Sequence, residues 1–242
     1  MPKPRRTFFY DRPLLEGVFE IEWKEARHIA GSLRLGAGDE IALIDGSGRR
    51  GIAEIQELRP AAERVKVRIF EVREAPAGSG LTLAVAVPKD SRMDWLVEKC
   101  SELGVDTLVP VLFRRSVVRP KPGRTGKADK WDRIAVESSK QSGRPSVLSI
   151  AEFRDLDEVA GFEADLKLLL APDADATLAG LLSAGRPKRT LAAIGPEGGL
   201  EPEEEELLAK EGFRRARLTP YTLRIETAAV AAAAVILGAD LR

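Results

Sequence analysis

The hydrophobic pattern changes its period across Ala75 to Gly80 (APAGSG), a small, Pro/Gly-rich run that reads as a linker. Before it, Gly51 to Leu58 and Val65 to Val72 alternate polar and apolar residues, as half-buried strands do. Asp39 to Asp45 is a further strand that runs into DGSG, where Gly46 and Gly48 supply the positive φ of a tight turn. One short helix is expected around Glu25 to Leu33. Many short strands with turn signals between them argue for a small β-barrel. After the linker, Leu81 to Val87 is a near-continuous apolar strand. An amphipathic helix follows, with Met93, Leu96, Val97, Cys100 and Leu103 on one face and a stop at Gly104. Thr107 to Val111, Leu166 to Leu170, Thr190 to Ile194 and Ala216 to Leu218 read as further apolar strands, and a helix is expected from about Lys127 to Ser142. Apolar strands separated by helices imply an α/β fold, a parallel sheet with helices on both faces. The expected division is a barrel over residues 1–74, a linker over 75–80 and an α/β domain over 81–242.

Several chemistries are poor starting points. The single cysteine rules out an internal disulfide, and with His28 as the one histidine no zinc site of the usual ligand count can form. Cys100 belongs to the apolar face of its helix and reads as core. No apolar run reaches the roughly 18–20 residues that span a bilayer. The longest, Thr227 to Leu237 (TAAVAAAAVIL), reads as a buried helix because it is apolar all round. The N-terminus is basic but has no apolar h-region, so the expectation is a cytoplasmic protein without a membrane or metal partner.

Three stretches carry chemistry. Gly195-Pro196-Glu197-Gly198-Gly199 directly follows the TLAAI strand. A glycine-rich turn at the carboxyl end of a parallel strand is where open α/β sheets bind ligands, since glycine lets backbone amides approach closely. The spacing fits neither a P-loop nor GxGxxG. Read alone, GPEGG serves equally as a plain strand-to-helix turn. Glu203 to Glu206, after Pro202, read as the solvated first turn of the next helix. The second stretch is Leu218 to Ala228 (LTPYTLRIETA), where Arg224, Glu226 and Thr227 precede the apolar helix. Thr227 as N-cap and Arg224 with Glu226 as an ion pair are the structural alternatives to a functional trio. The third is charge. The chain has 38 basic and 38 acidic residues, but Arg114 to Arg144 carries +7 and Glu152 to Glu211 carries −9. A contiguous basic piece in a neutral chain is an electrostatic footprint for nucleic acid, or else a solvated helix face. Glu137 to Arg144 (ESSKQSGR) closes that helix with amide, hydroxyl and guanidinium groups suited to RNA.

Together these motifs resemble the RsmE family, the small-subunit ribosomal RNA uridine-N3 methyltransferases of the SPOUT superfamily. The resemblance covers nearly the whole chain. It runs through His28 to Arg34 with Gly38-Asp39, Lys89 to Met93 (KDSRM), Lys99 to Val105 (KCSELGV), Arg115 to Val118 (RSVV), Trp131, Glu137 to Arg144, GPEGG and LTPYTLRIETA. It implies a PUA-like RNA-binding barrel followed by a SPOUT domain whose sheet carries a trefoil knot, a rare exception to unknotted connections. It implies S-adenosyl-L-methionine as cofactor, held by Leu170, Ala171 and Pro172, by Ile194, Gly195, Pro196, Glu197, Gly198 and Gly199, and by Leu218, Thr222, Leu223 and Arg224. Thr219 and Tyr221 depart from the family's pattern beside the methionine part of the cofactor, and Lys140 and Ser138 depart from it on the basic helix.

The implied reaction is direct methyl transfer to N3 of an unpaired or extruded uridine in small-subunit ribosomal RNA, within the assembled 30S subunit, by a homodimer. Arg224 or Arg92 stabilises the developing uridine anion, and Glu226 and Glu197 are candidates for the base. Arg5, Arg6, Lys89, Arg115, Arg133, Gln141, Ser142 and Arg144 are the candidate RNA contacts. The alternatives are a noncatalytic ribosomal RNA-binding or assembly factor, or the same chemistry on another RNA.

Overall fold

The computed structural model describes residues 6–22, 25, 26, 29, 35–59, 63–75, 78–89, 91–119, 126–183, 185 and 187–239. The chain divides into two compact units, residues 1–78 with 139–147, and residues 79–138 with 148–242. Arg5 and His28 lie outside the described residues, as does most of the helix expected over Glu25 to Leu33.

In the first unit a mixed sheet runs in the order β1 (Thr7–Phe9), β3 (Glu40–Ile44), β4 (Arg49–Arg59), β5 (Arg64–Glu74), β2 (Gly17–Glu22). Among the described strands of this sheet only the β1–β3 pairing is parallel. Period-two alternation decides which side is buried. Val65, Val67 and Ile69 point inward with Ile41, Leu43 and Ile55, and Phe8 and Leu14 complete the core. Two register shifts in the β4–β5 ladder, at Ile52/Ala53 and Ile55/Glu57, add the local twist that lets long strands wrap a small core. The β3–β4 turn is the expected DGSG, with Gly46 at φ 79° and Gly48 at φ 108°. Asp45 holds it by accepting from Ser47 N and Oγ, Arg49 N and Leu14 N. Partial burial would raise the Asp45 carboxyl, but these bonds outweigh it and hold the group below the usual carboxylate range. Residues 145–147 attach here, with Gly48 N donating to Pro145 O and Val147 N to Gly46 O. Lys140 is buried in the same unit and pairs with Glu25 at 2.7 Å.

The second unit is an α/β domain. Its sheet runs β12 (Arg214–Ala216), β10 (Leu166–Leu170), β11 (Thr190–Ile194), β6 (Leu81–Ala86), β7 (Thr107–Leu112), β8 (Ser149–Ile150), with β9 (Arg154–Asp155) also on β7. Every pairing is parallel. The helices are α1 (Arg92–Leu103), α2 (Gly126–Ser142), α3 (Leu156–Ala160), α4 (Leu178–Leu181), α5 (Pro202–Lys210) and α6 (Ile225–Gly238). After β11 the chain passes β10 and pairs on its far side as β12, so three successive strands end side by side out of chain order. That placement makes the site.

Three expectations are corrected. The last strand ends at Ala216 and does not run to Leu218, because Arg217 leaves the ladder to exchange backbone bonds with the 176–178 segment. Leu103, expected on the buried face of α1, is 37% exposed at the helix end. The apolar helix α6 is not buried all round: Thr227, Ala234 and Val235 are exposed. Cys100 is core, as expected, and burial pushes its thiol up to about 12. Among the described residues no helix is long and apolar enough to cross a membrane.

Candidate active site

The ends of β10, β11 and β12 lie level, because Leu170 is in register with Ile194 on one side and Ala216 on the other. Each strand then feeds a loop into one cavity of about 240 Å³. Leu170 to Asp173 form one wall, Ile194 to Glu197 with Gly199 and Leu200 another, and Leu218, Thr219 and Tyr221 to Leu223 the third. This is the carboxyl edge of a parallel sheet at a point where strand order reverses. The glycine turn closes by a bond from Gly199 N to Pro196 O, with Gly199 at φ 73°. Gly195 is needed for a different reason: a Cβ there would stand 2.3 Å from Leu200 Cδ1.

Beside the cavity, α1, α6 and the glycine turn after β11 bring three charged groups together. Arg92 opens α1 and Glu226 lies in the first turn of α6. Arg92 Nε is 3.8 Å from Glu226 Oε1, and its Nη1 is 3.9 Å from Glu197 Oε1. Glu226 is 7% exposed, and its Oε2 is buried without a hydrogen-bond partner. A buried carboxylate oxygen left unpaired is costly unless a ligand or water meets it; Glu25 Oε2 and Thr190 Oγ1 share that state elsewhere in the chain.

Most of the residues expected at the cofactor come together. Leu170, Ala171, Pro172, Ile194, Gly195, Pro196, Glu197, Gly199, Leu218, Thr222 and Leu223 all line the cavity. Gly198 and Arg224 do not. Gly198 turns its carbonyl to Arg115, and Arg224 is exposed at the N-cap of α6, between the lining residues Leu223 and Ile225. The structural roles expected in the Arg224 trio are taken up differently: Arg224, not Thr227, is the N-cap, and Glu226 pairs with Arg92 and not with Arg224.

Asp173, Leu200, Glu205 and Arg215 also line the cavity, and the sequence did not mark them. Asp173 accepts both its bonds from Arg215 Nη2, at 2.6 and 2.7 Å, and this pairing holds its carboxyl below the usual range. Their signal is weak, since the two residues are 42 positions apart and meet only through the β10–β12 pairing. Thr219 and Tyr221, the departures from the family pattern, both line the cavity, and Tyr221 is 75% exposed. Glu204, expected to be solvated, is 6% exposed and accepts from Arg114 N and Glu201 N.

The candidate RNA contacts are distributed over both units. Arg6 is exposed ahead of β1. Gln141 and Ser142 are exposed in the closing turn of α2, and Arg144 follows with its Nε donating to Ser146 Oγ. In the second unit, Lys89 is exposed after β6 and Arg133 on α2. Arg115 is different: Glu201 and the Gly198 carbonyl take up its guanidinium.

A parallel sheet whose crossed strand ends and glycine turn enclose a cavity, joined to a small mixed sheet, is the arrangement of an RNA methyltransferase. The RNA methyltransferase domain family matches residues 75–237, and the RNA methyltransferase PUA domain family matches residues 22–68. The ribosomal RNA small subunit methyltransferase E of a Synechocystis strain is 30% identical over 92% of this chain and 74% of its own length. That of Bacillus subtilis is 28% identical over 90% and 89%. Among solved structures, a methyltransferase of Legionella pneumophila in complex with its bound cofactor superposes with a TM-score of 0.81, 28% identity and 98% coverage of both chains. The small subunit methyltransferase E of Neisseria gonorrhoeae bound to S-adenosyl methionine does so with 0.84 and 26%, over 97% of this chain and 98% of that one. The chain belongs to the ribosomal RNA small subunit methyltransferase E family of RNA methyltransferases.

Proposed function

We propose that this protein transfers a methyl group from S-adenosylmethionine to N3 of a uridine in small-subunit ribosomal RNA, as a homodimer acting on the assembled 30S subunit. The observation that carries the reading is the cavity at the level ends of β10, β11 and β12, with GPEGG as its wall. The lining suits the cofactor. Leu170, Ile194, Leu218 and Leu223 offer apolar surface to a flat purine, and Glu197 offers a carboxylate to a cationic sulfonium or ammonium group. Gly195, where a Cβ would collide with Leu200, keeps the wall close-fitting.

When bound, S-adenosylmethionine supplies an electrophilic methyl group on a sulfonium. The chain's own residues have two tasks, to hold an extruded uracil in line and to manage the loss of its N3 proton. Arg92, linked to Glu197 and Glu226, is the cation we assign to the charge that develops on the uracil oxygens. Glu226 Oε2, buried and without a partner, and Glu197, on the cavity wall, are the proton acceptors the site offers. Arg224, exposed at the start of α6, serves the RNA side of the site.

The test is incubation of the protein and S-adenosylmethionine with small subunits that lack the modification, followed by nucleoside mass spectrometry and primer extension. The expected product is 3-methyluridine at one position. Any other methylated nucleoside, or none, overturns the reading.

A further inference from the structure

Arg115 stands outside the cavity, yet its guanidinium holds the cavity's glycine wall. Its Nε and Nη2 make a bidentate pair with Glu201, at 2.8 and 3.0 Å. Its Nη1 donates to the Gly198 carbonyl at 2.8 Å. The Arg115 stem runs past Gly198: a Cβ there would meet Arg115 Cβ at 3.6 Å and its Cδ at 3.7 Å, ordinary van der Waals distances. One arginine from the loop after β7 therefore grips both ends of the segment Gly198–Glu201.

The far end of that segment is fixed twice. Glu201 is the N-cap of α5, in a capping box with Glu204. Glu204, buried, accepts from Arg114 N as well as from Glu201 N. Arg114 and Arg115, adjacent after one strand, thus clamp the turn that leaves the neighbouring part of the sheet. A free glycine turn samples many backbone states, and ordering each residue costs about 1–2 kcal/mol when a ligand has to do it. A turn already held by the protein spares the ligand that cost.

We propose that Arg115 is a positioning residue for the cofactor: with Glu201 it latches GPEGG in its binding shape, and it acts on cofactor affinity and not on RNA. The inference rests on the reading of the cavity as an S-adenosylmethionine site. The Arg115–Glu201 pair keeps the Glu201 carboxyl below its ordinary range, so the latch persists in mildly acidic solution.

The experiment is a double-mutant cycle read by calorimetry with S-adenosylmethionine. Arg115→Ala removes the latch, and Glu201→Ser removes it while leaving a residue that caps helices well. Each weakens cofactor binding about five- to tenfold, the cost of losing a well-made ion pair, and the double variant is no weaker than either single one. In steady-state assays the KM for S-adenosylmethionine rises by the same factor, while the KM for small subunits and kcat at saturating cofactor stay within about twofold. Arg115→Lys, which keeps the charge but loses the fork, recovers only part of the affinity. Three results overturn the latch: unchanged cofactor affinity in both single variants, additive losses, or a loss confined to RNA binding with a shallower salt dependence. Failure of the wild-type protein to bind S-adenosylmethionine would instead refute the reading of the cavity, so the two failures are distinguishable.

Discussion

A Cβ is resisted at both Gly80 and Gly195, for unrelated physical reasons. Gly80 has φ +68°, and a Cβ there would lie 1.8 Å from the Lys188 carbonyl oxygen, which is backbone and cannot step aside. Gly80→Ala should therefore cost more than about 3 kcal/mol, the sum of left-handed strain and overpacking. A urea midpoint equal to wild type would contradict it. At Gly195 the colliding atom is the far end of a side chain, Leu200 Cδ1 at 2.3 Å. Leu200 can turn, but it lines the cavity, so the space it takes is the ligand's. Gly195→Ala should fold with a loss of about 1–3 kcal/mol and bind S-adenosylmethionine at least about tenfold more weakly. Full affinity at reduced stability would show that Leu200 moves elsewhere. Cys100 is the opposite case, a residue whose type suggests chemistry but whose burial, with its thiol at about 12, removes it.

At the scale of elements, the parts legible in the sequence were those set by local pattern. Gly46 and Gly48 take the positive φ that DGSG requires, and GPEGG ends a parallel strand and lines the cavity. What pattern could not supply is pairing between distant elements. Arg224 and Glu226 are neighbours in sequence, yet Glu226 meets Arg92 because α1 packs on α6. Glu204 looked solvated because acids open many helices; it is buried because the loop after β7 brings Arg114 N to it. Register is likewise invisible in sequence, and it sets two like-charged pairs in one ladder, of which Arg59 opposite Arg64 is relieved by Glu57 on one side and by Glu20 and Glu22 on the other. Along β4 and β5 the outward charges mostly meet opposites: Glu54 faces Arg68, Glu57 faces Lys66 and Arg49 pairs with Glu74. Arg50 faces Arg73, and among the described residues Arg50 has no ion-pair partner, whereas Arg73 has Glu71. Like charges directly opposite destabilise a ladder, so Arg50→Glu should stabilise the first unit by about 0.2–1 kcal/mol. Slower amide exchange along β4 and β5 is the expected sign. Faster exchange there would mean that Arg50 contributes to the fold in another way.

For the molecule as a whole, the neutral total conceals a division of labour, with +1 over residues 1–80, +5 over 81–150 and −6 over 151–242. The basic middle carries Lys89, Arg133 and Arg144, exposed or half-exposed as an RNA contact requires. The acidic remainder contains the cavity and α6, and α6 bears no charge after Glu226. Its outer face is Thr227, Ala234 and Val235, with Ala228, Val230, Ala231 and Leu237 half-exposed, and Trp95 on the adjoining α1 is 43% exposed. The proposed homodimer needs an uncharged face of this kind to bury. As part of the proposed function, we assign this face to the second copy. A two-fold pairing lets the same small residues meet themselves, and small residues allow helices to approach closely. It would also set the second copy against α6, whose first turn carries Glu226. Val235→Asp places like charges across such a two-fold axis, at a residue outside the cavity lining. The expected result is a monomer by light scattering, with S-adenosylmethionine still bound and methyl transfer to small subunits reduced at least about tenfold, since orientation of the substrate is lost while the cofactor site persists. If the variant remains dimeric, or if it is monomeric and fully active, α6 is not the surface on which two copies meet to complete the site.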